Sequence, residues 1–372
     1  METVFQELVA SSGFFHLTLG NVTMWVIAFV LMYLAIKKQY EPLLLLPIAF
    51  GILIVNLPLT LLMEPEHGLI WKFYTFGIKW EIIPPLIFLG LGAMTDFGPV
   101  IANPKTLLLG GGAQVGVYVT FFLALLFGFE MKEAASIAII GGADGPTSIF
   151  LTAKLAPQLL GPIAVAAYSY MALVPVIQPP IMRLLTTKAE RVIVMKKQRS
   201  VSQLEKIVFP VVTGMLIMMI VPASAALMAM FMLGNLFKES GVVERLSKAA
   251  QNELMNIVTI FLGLSVGATM TADIFLKKEV IFLFALGLIA FAIATAAGLL
   301  IAKFMNLFLK EKINPLIGAA GVSAVPMAAR VVHKVGAEEN KRNYLLMHAM
   351  GPNVAGVIGT LVAAAVLLTF LQ

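Results

Sequence analysis

Apolar residues dominate the chain in long runs. Windows of about 20 apolar residues, enough to cross a bilayer core, fall at 18–36, 43–62, 82–98, 104–128, 134–157, 160–185, 206–235, 252–275, 279–309, 313–333 and 342–371. The pattern predicts an all-α polytopic membrane protein of about eleven spans. Between the second and third windows, MEPEHGLIWKFYTFGIKWE (63–81) mixes aromatic and charged residues, as an element at the membrane interface does. The stretch before the first window lacks the basic start and small-residue cleavage site of a signal peptide; it reads as an amphipathic lead-in.

Two runs are interrupted in the same way. FLGLGAMTDF (88–97) recurs as FLGLSVGATMTADIF (261–275), which sets Asp96 against Asp273; at the same offset AIIGGADG (138–145) faces PLIGAAGV (315–322). Four windows make each copy and one lies between, so the second copy is expected to enter from the opposite side. That predicts an inverted-topology repeat with two broken helices at the midplane, where such folds place ion sites. The expected organisation is 1–81 as N-terminal spans and interfacial segment, 82–185 as repeat 1, 186–250 as basic loop and linker span, and 251–372 as repeat 2.

Composition supports the membrane reading and removes several chemistries. The 372 residues are 60% hydrophobic and 12% charged, with mean hydropathy +0.95; soluble domains carry about 25% charged residues. There is no cysteine, and the four histidines show no metal-binding spacing. No phosphate loop is present, so ATP is not expected to drive the chain, and the net charge of +6 belongs to loops rather than to a nucleic-acid site. The segment 183–206 holds seven Lys/Arg against two Glu and is assigned to the cytoplasm. Counting eleven spans from it puts the N-terminus inside and the C-terminus outside; Lys37, Lys38, Lys310 and Lys312 then fall outside, against the rule.

Candidate chemistry centres on GGADGPTS (141–148). Asp144 sits between a glycine pair and Pro146, placed to cap a second half-helix. A serine or asparagine would cap at less cost, because Asp at helix centre costs about 2.5–3.5 kcal/mol even on insertion scales. The second break offers Asn314, Gly318, Ser323 and Arg330; the last window offers Asn353 after a Gly-Pro break; the sixth offers Tyr168 or Tyr170, either of which has the alternative of an interfacial position. Ser323 has the ordinary alternative of bonding its own backbone. Carboxylate, amides, hydroxyls and free carbonyls together suit a hard cation such as Na⁺.

At these residues the sequence resembles the β subunits of the biotin-dependent, sodium-pumping decarboxylases, a family acting on oxaloacetate, methylmalonyl-CoA or glutaconyl-CoA. The resemblance runs from LLLLPIAFGILIVNLP (43–58) through GAMTDFGPVIANP (92–104) and GGADGPTSIF to NPLIGAAGVSAVPMAAR and GPNVAGVIG (351–359). It implies that carboxybiotin, delivered by a partner's biotin carrier, is decarboxylated here, that Na⁺ is exported and that an external proton is consumed. It implies metal-binding roles for Asp144, Asn314, Gly318, Ser323 and Asn353, catalytic roles for Arg330, Tyr170 and Ser323, and carboxybiotin binding at Arg330. Implied partners are carboxyltransferase and biotin-carrier subunits and a small membrane-anchor subunit, in an oligomeric complex of the bacterial cytoplasmic membrane. The chain's modest length favours the acyl-CoA members. Without the resemblance, a secondary Na⁺-coupled carboxylate transporter would fit the same broken-helix site.

Overall fold

The computed structural model describes residues 10–372, and every regular element among them is a helix. Ten principal helices are α1 (Leu19–Lys37), α2 (Pro42–Val55), α3 (Ile83–Met94), α4 (Thr106–Leu126, with a joint at Gln114), α5 (Leu160–Leu185), α6 (Gln203–Ile220), α7 (Ala225–Ser240), α8 (Met255–Ala268), α9 (Lys278–Phe308) and α10 (Leu346–Leu371). Six of them (α1, α4, α5 with its lead-in, α6, α9 and α10) are long and apolar enough to cross a membrane. A seventh span is made if Leu69–Lys79 and α3, bent by 63° at their break, are taken together. Starts are capped where the sequence allows it: Thr18 and Asn21 cap α1 reciprocally, as Ser202 and Glu205 cap α6.

The helices pack through small residues, which let backbones approach when lipid offers no hydrophobic contrast. Gly92 and Gly234 set α3 backbone-to-backbone against α7; Gly51, Gly263 and Gly267 do the same for α2 and α8. Neither seam has room for a side chain.

Two expected spans do not cross. Residues 131–155 run in as Met131–Ala138 and a 3₁₀ turn, reverse at Ala143, and run out as Gly145–Leu155. Their ends meet, since Gln158 donates to Glu133 Oε1 at 3.1 Å. Residues 314–339 behave alike. Asn314 Nδ2 donates to the carbonyls of Arg191 and Ile193 at 2.8 and 2.9 Å, and Asn343 Nδ2 reaches the same two carbonyls at 3.2 and 3.1 Å. Residues on both limbs thus share one anchor, so 313–333 is a hairpin rather than a passage. The base of the second hairpin sits at the C-terminal end of α5, through Arg183–Glu338 (2.6 Å) and Arg191–Glu339 (2.8 Å). The base of the first lies just before α5 begins. At 1.5 Å per residue, the 26 residues of α5 hold the two bases about 39 Å apart.

A third correction concerns 206–235, expected as one span. It is two antiparallel helices, α6 and α7, turning at Val221–Pro222, where proline cannot continue the α6 ladder. Gln203 of α6 donates to Glu239 O of α7, and Lys206 approaches both Glu239 (3.8 Å) and Asp96 (3.7 Å). The 183–206 segment, Asp96, residues 309–313 and the second hairpin's base therefore share one end of the bundle, sealed by the Lys196–Glu311 pair and by Arg199 donating to Ile101 O at 3.1 Å. Lys310 and Lys312 join the basic segment instead of opposing it. Asn21 binds Asn56 O, and Asn56 binds Met270 O, so α1 starts at the other end.

Candidate functional site

The two hairpins meet tip to tip inside the protein. The backbone N–H of Ser323 donates to Gly142 O at 2.9 Å. Ser323 Oγ and Thr360 Oγ1 of α10 are 2.8 Å apart, and Thr360 Oγ1 reaches Gly356 O at 3.0 Å and Gln114 Oε1 at 3.3 Å. The link ties both tips to α4 and α10. The pattern reading did not single out Gln114 or Thr360. Each looks like an isolated polar residue in an apolar helix, and only the contact reveals them.

Asp144 stands at this junction. Ala143, in the left-handed region at φ 54°, turns the chain so that Asp144 becomes the N-cap of the outgoing helix. Its Oδ1 accepts from Thr147 N at 3.2 Å, so capping is real. Capping uses one oxygen only. Asp144 is 4% exposed, and its Oδ2 has no partner among the described residues. Thr147 Oγ1 and the Tyr168 hydroxyl are buried and unpartnered as well. The Tyr168 ring lies against the Cα of Gly145, leaving no room for a side chain there. A buried acceptor without a partner costs about 1–3 kcal/mol, more when charged, so such a group at a junction is the signature of a ligand site.

Asn353 of α10 faces the second tip. Its Nδ2 donates to Ala320 O at 3.1 Å and Val322 O at 2.6 Å, which leaves Oδ1 buried and unsatisfied. Gln178 of α5, not foreseen from sequence, donates to the adjacent Ala319 O at 2.8 Å and also leaves its amide oxygen free. Among the described residues no three His, Asp or Glu side chains converge. The oxygen donors gathered at the tips are thus one carboxylate with amides, hydroxyls and carbonyls.

Four expected site residues lie elsewhere. Asn314 is at the hairpin's base, pinning it to the 191–193 carbonyls, with its own Oδ1 accepting from Leu316 N at 3.1 Å. Gly318 is the close-approach point between the second hairpin and Gly298 of α9. Tyr170 points away from Asp144: its hydroxyl donates to Phe284 O of α9 at 2.5 Å. Of the two tyrosines left open by the sequence, Tyr168 is at the junction. Arg330 lies in the first turn of the second hairpin's outgoing helix, seven residues beyond Ser323; it is exposed and makes no ion pair among the described residues. Asp96 turns back on Gly98 N at 2.9 Å as a local cap.

The match to known proteins extends over nearly the whole chain. Residues 20–371 match the family described as the Na⁺-transporting oxaloacetate decarboxylase beta subunit. The chain belongs to that family. It is 57% identical to the methylmalonyl-CoA decarboxylase subunit beta of Propionigenium modestum, over 96% of this chain and 97% of the relative. To the glutaconyl-CoA decarboxylase subunit beta of Acidaminococcus fermentans it is 57% identical, over 97% and 96%. To the oxaloacetate decarboxylase beta chain of Haemophilus ducreyi it is 49% identical, over 100% and 99%. This β subunit is therefore the membrane component of a sodium-pumping, biotin-dependent decarboxylase, a multisubunit enzyme. The Asp144 junction is its candidate cation site.

Proposed function

We propose that Na⁺ is carried at the hairpin junction, with Asp144 Oδ2 as the charged ligand and Thr147, Tyr168, Asn353 and tip carbonyls as neutral donors. The observation that carries this reading is the buried Asp144 oxygen left unpartnered where two re-entrant segments touch. A formal charge offsets part of the cation's dehydration, and neutral oxygens complete a hard-cation shell. Ser323 contributes by holding the Gly142 carbonyl. Asn314 and Gly318 act at a distance, by fixing the second hairpin.

Carboxybiotin, supplied by a biotin-carrier subunit charged at a carboxyltransferase subunit, is decarboxylated at this chain, and a proton from the far side is consumed. Arg330 is the group for its carboxylate: an exposed, unpaired guanidinium offers a two-bond fork. A small anchor subunit completes the complex. The basic end of the bundle faces the cytoplasm, by the excess of Lys/Arg there. On this reading the described residues make ten passages, α1 to α10, with the 69–79 segment completing the third. Both the start of α1 and the end of α10 then face outside. This reverses the orientation expected for the N-terminal end, because two windows are hairpins and one is two helices; Lys37 and Lys38, at the far end of α1, come to the cytoplasmic end. An inverted repeat is supported by the hairpins entering from opposite ends after equivalent helices, α3–α4 and α8–α9.

The test is purification of the complex through this chain. Co-purification of a biotinylated protein, with Na⁺-dependent CO₂ release that requires this chain, is the expected result. Transport of an intact carboxylate without CO₂ release would favour a secondary transporter.

A further inference from the structure

At the basic end of the bundle, remote from the hairpin junction, lies a cavity of about 530 Å³. Its walls come from four separate parts of the chain: the 102–105 turn before α4, the extended strap 193–199, the 309–313 link after α9, and the first turn of α10. Five cations line it, Lys105, Lys196, Lys197, Arg199 and Lys312, against a single acid, Glu311. Lys196 is paired with Glu311, and Arg199 with Glu205 at 2.6 Å. The ammonium groups of Lys105, Lys197 and Lys312 have neither ion pair nor hydrogen bond among the described residues. Like charges gathered without counterions repel, and such a cluster is stable only where water or an anion answers it. A second feature points the same way. His348, 8% exposed, lines the cavity, and its Nδ1 is buried with no partner among the described residues.

We propose that this cavity is an oxyanion site that takes a phosphate group. Lysines are point charges suited to a phosphate approached from several directions, and His348 adds a short-range hydrogen-bonding group. A volume of this size holds a headgroup with bound water. The level of the site specifies the source further: Lys105 immediately precedes the apolar span that begins at Thr106, and Ile193, Met195 and Ile313 supply apolar wall. Basic pockets among helices at this level hold anionic lipid headgroups. The occupant would fasten the strap, since Ile193 O anchors both limbs of the second hairpin through Asn314 and Asn343, and Gln198 reaches Met347 O at 3.4 Å. The inference goes beyond the Na⁺ reading, because nothing in it depends on decarboxylation.

The experiment is thermal unfolding of the full purified chain in neutral detergent, titrated with phosphatidylglycerol, phosphatidylcholine or inorganic phosphate, without Na⁺ or biotin. Phosphatidylglycerol is expected to raise the unfolding midpoint at concentrations where phosphatidylcholine does not. Each of Lys105→Gln, Lys197→Gln and Lys312→Gln should raise the half-saturating concentration about fivefold, the effect of one cation near a membrane surface. Three single variants keep the test usable if their combination fails to fold. Protection by inorganic phosphate with the same lysine dependence, and none by the lipid, would support the oxyanion site with a soluble source. Equal response of wild type and all three variants, or no response to either anion, overturns the proposal. So does lysine-dependent binding of a partner subunit by a chain that ignores both anions.

Discussion

Replacing Thr360 with valine removes one hydroxyl from the hairpin junction and keeps the side chain's shape. Thr360 is fully buried, and its Oγ1 stands 2.8 Å from Ser323 Oγ, 3.0 Å from Gly356 O and 3.3 Å from Gln114 Oε1. Valine leaves Ser323 Oγ and Gln114 Oε1 without that partner, in a space closed to water. Each buried group so stranded costs about 1–3 kcal/mol, while Gly356 O keeps its backbone bond within α10 and the longer contact from Gln114 Nε2 at 3.5 Å and so is not stranded. Part of this cost falls on the state in which the tips touch, and cation binding draws on that state. If about 1–2 kcal/mol falls there, half-saturating Na⁺ rises roughly 5- to 30-fold. The assay is Na⁺-dependent decarboxylation by the purified complex, with half-saturation and maximal rate measured separately. The account predicts a raised half-saturation with a largely retained maximal rate, and recovery in Thr360→Ser, which restores the hydroxyl. Unchanged half-saturation in a folded Thr360→Val complex would refute the latch.

Three further outcomes follow from the same geometry. Tyr168→Phe, which removes the unpartnered hydroxyl beside Gly145, should weaken Na⁺ binding more than Tyr170→Phe, which removes only the bond to Phe284 O; sodium titrations of the two variants decide it. Arg330→Lys keeps the charge and loses the fork, so carboxybiotin decarboxylation should fall about tenfold or more while Na⁺ binding in the isolated chain stays normal; normal turnover would remove Arg330 from carboxylate recognition. Asn343→Ala frees one of the two amides at the second hairpin's base and should speed amide hydrogen exchange across 327–343, with an unchanged rate in the first hairpin.

The breaks in the chain were legible and their consequence was not. GGADGPTS advertises a reversal through its glycines, its capping aspartate and its proline, and the NPLIGAAGVSAVP segment repeats the glycine–proline pattern. Yet each hairpin, counted along both limbs, has the length and apolarity of a span, so windowed hydropathy counts it as a passage. What turns the second one back is tertiary: Asn314 and Asn343, one on each limb, reach the same pair of carbonyls. The 206–235 window failed differently. Its apolar run is continuous across Val221–Pro222, and only the proline marked the turn. Asp144 was found because a carboxylate in such a segment is costly. Gln114, Gln178 and Thr360 carry no such cost on their face, since amides and hydroxyls in membrane helices often bond their own backbone. Asn314 illustrates the converse, a residue legible as polar and functional whose geometry makes it an anchor.

The central claim is that Asp144 provides the charge that binds Na⁺, and the most direct measurement is Na⁺ binding to the full purified chain by calorimetry, for wild type and Asp144→Asn. Asparagine keeps an acceptor for Thr147 N and so preserves the cap, while removing the negative charge. The account predicts saturable binding to wild type and a loss of at least a hundredfold in affinity in a folded Asp144→Asn protein. Binding of Na⁺ by that variant with wild-type affinity would contradict it and leave Asp144 as a helix cap alone.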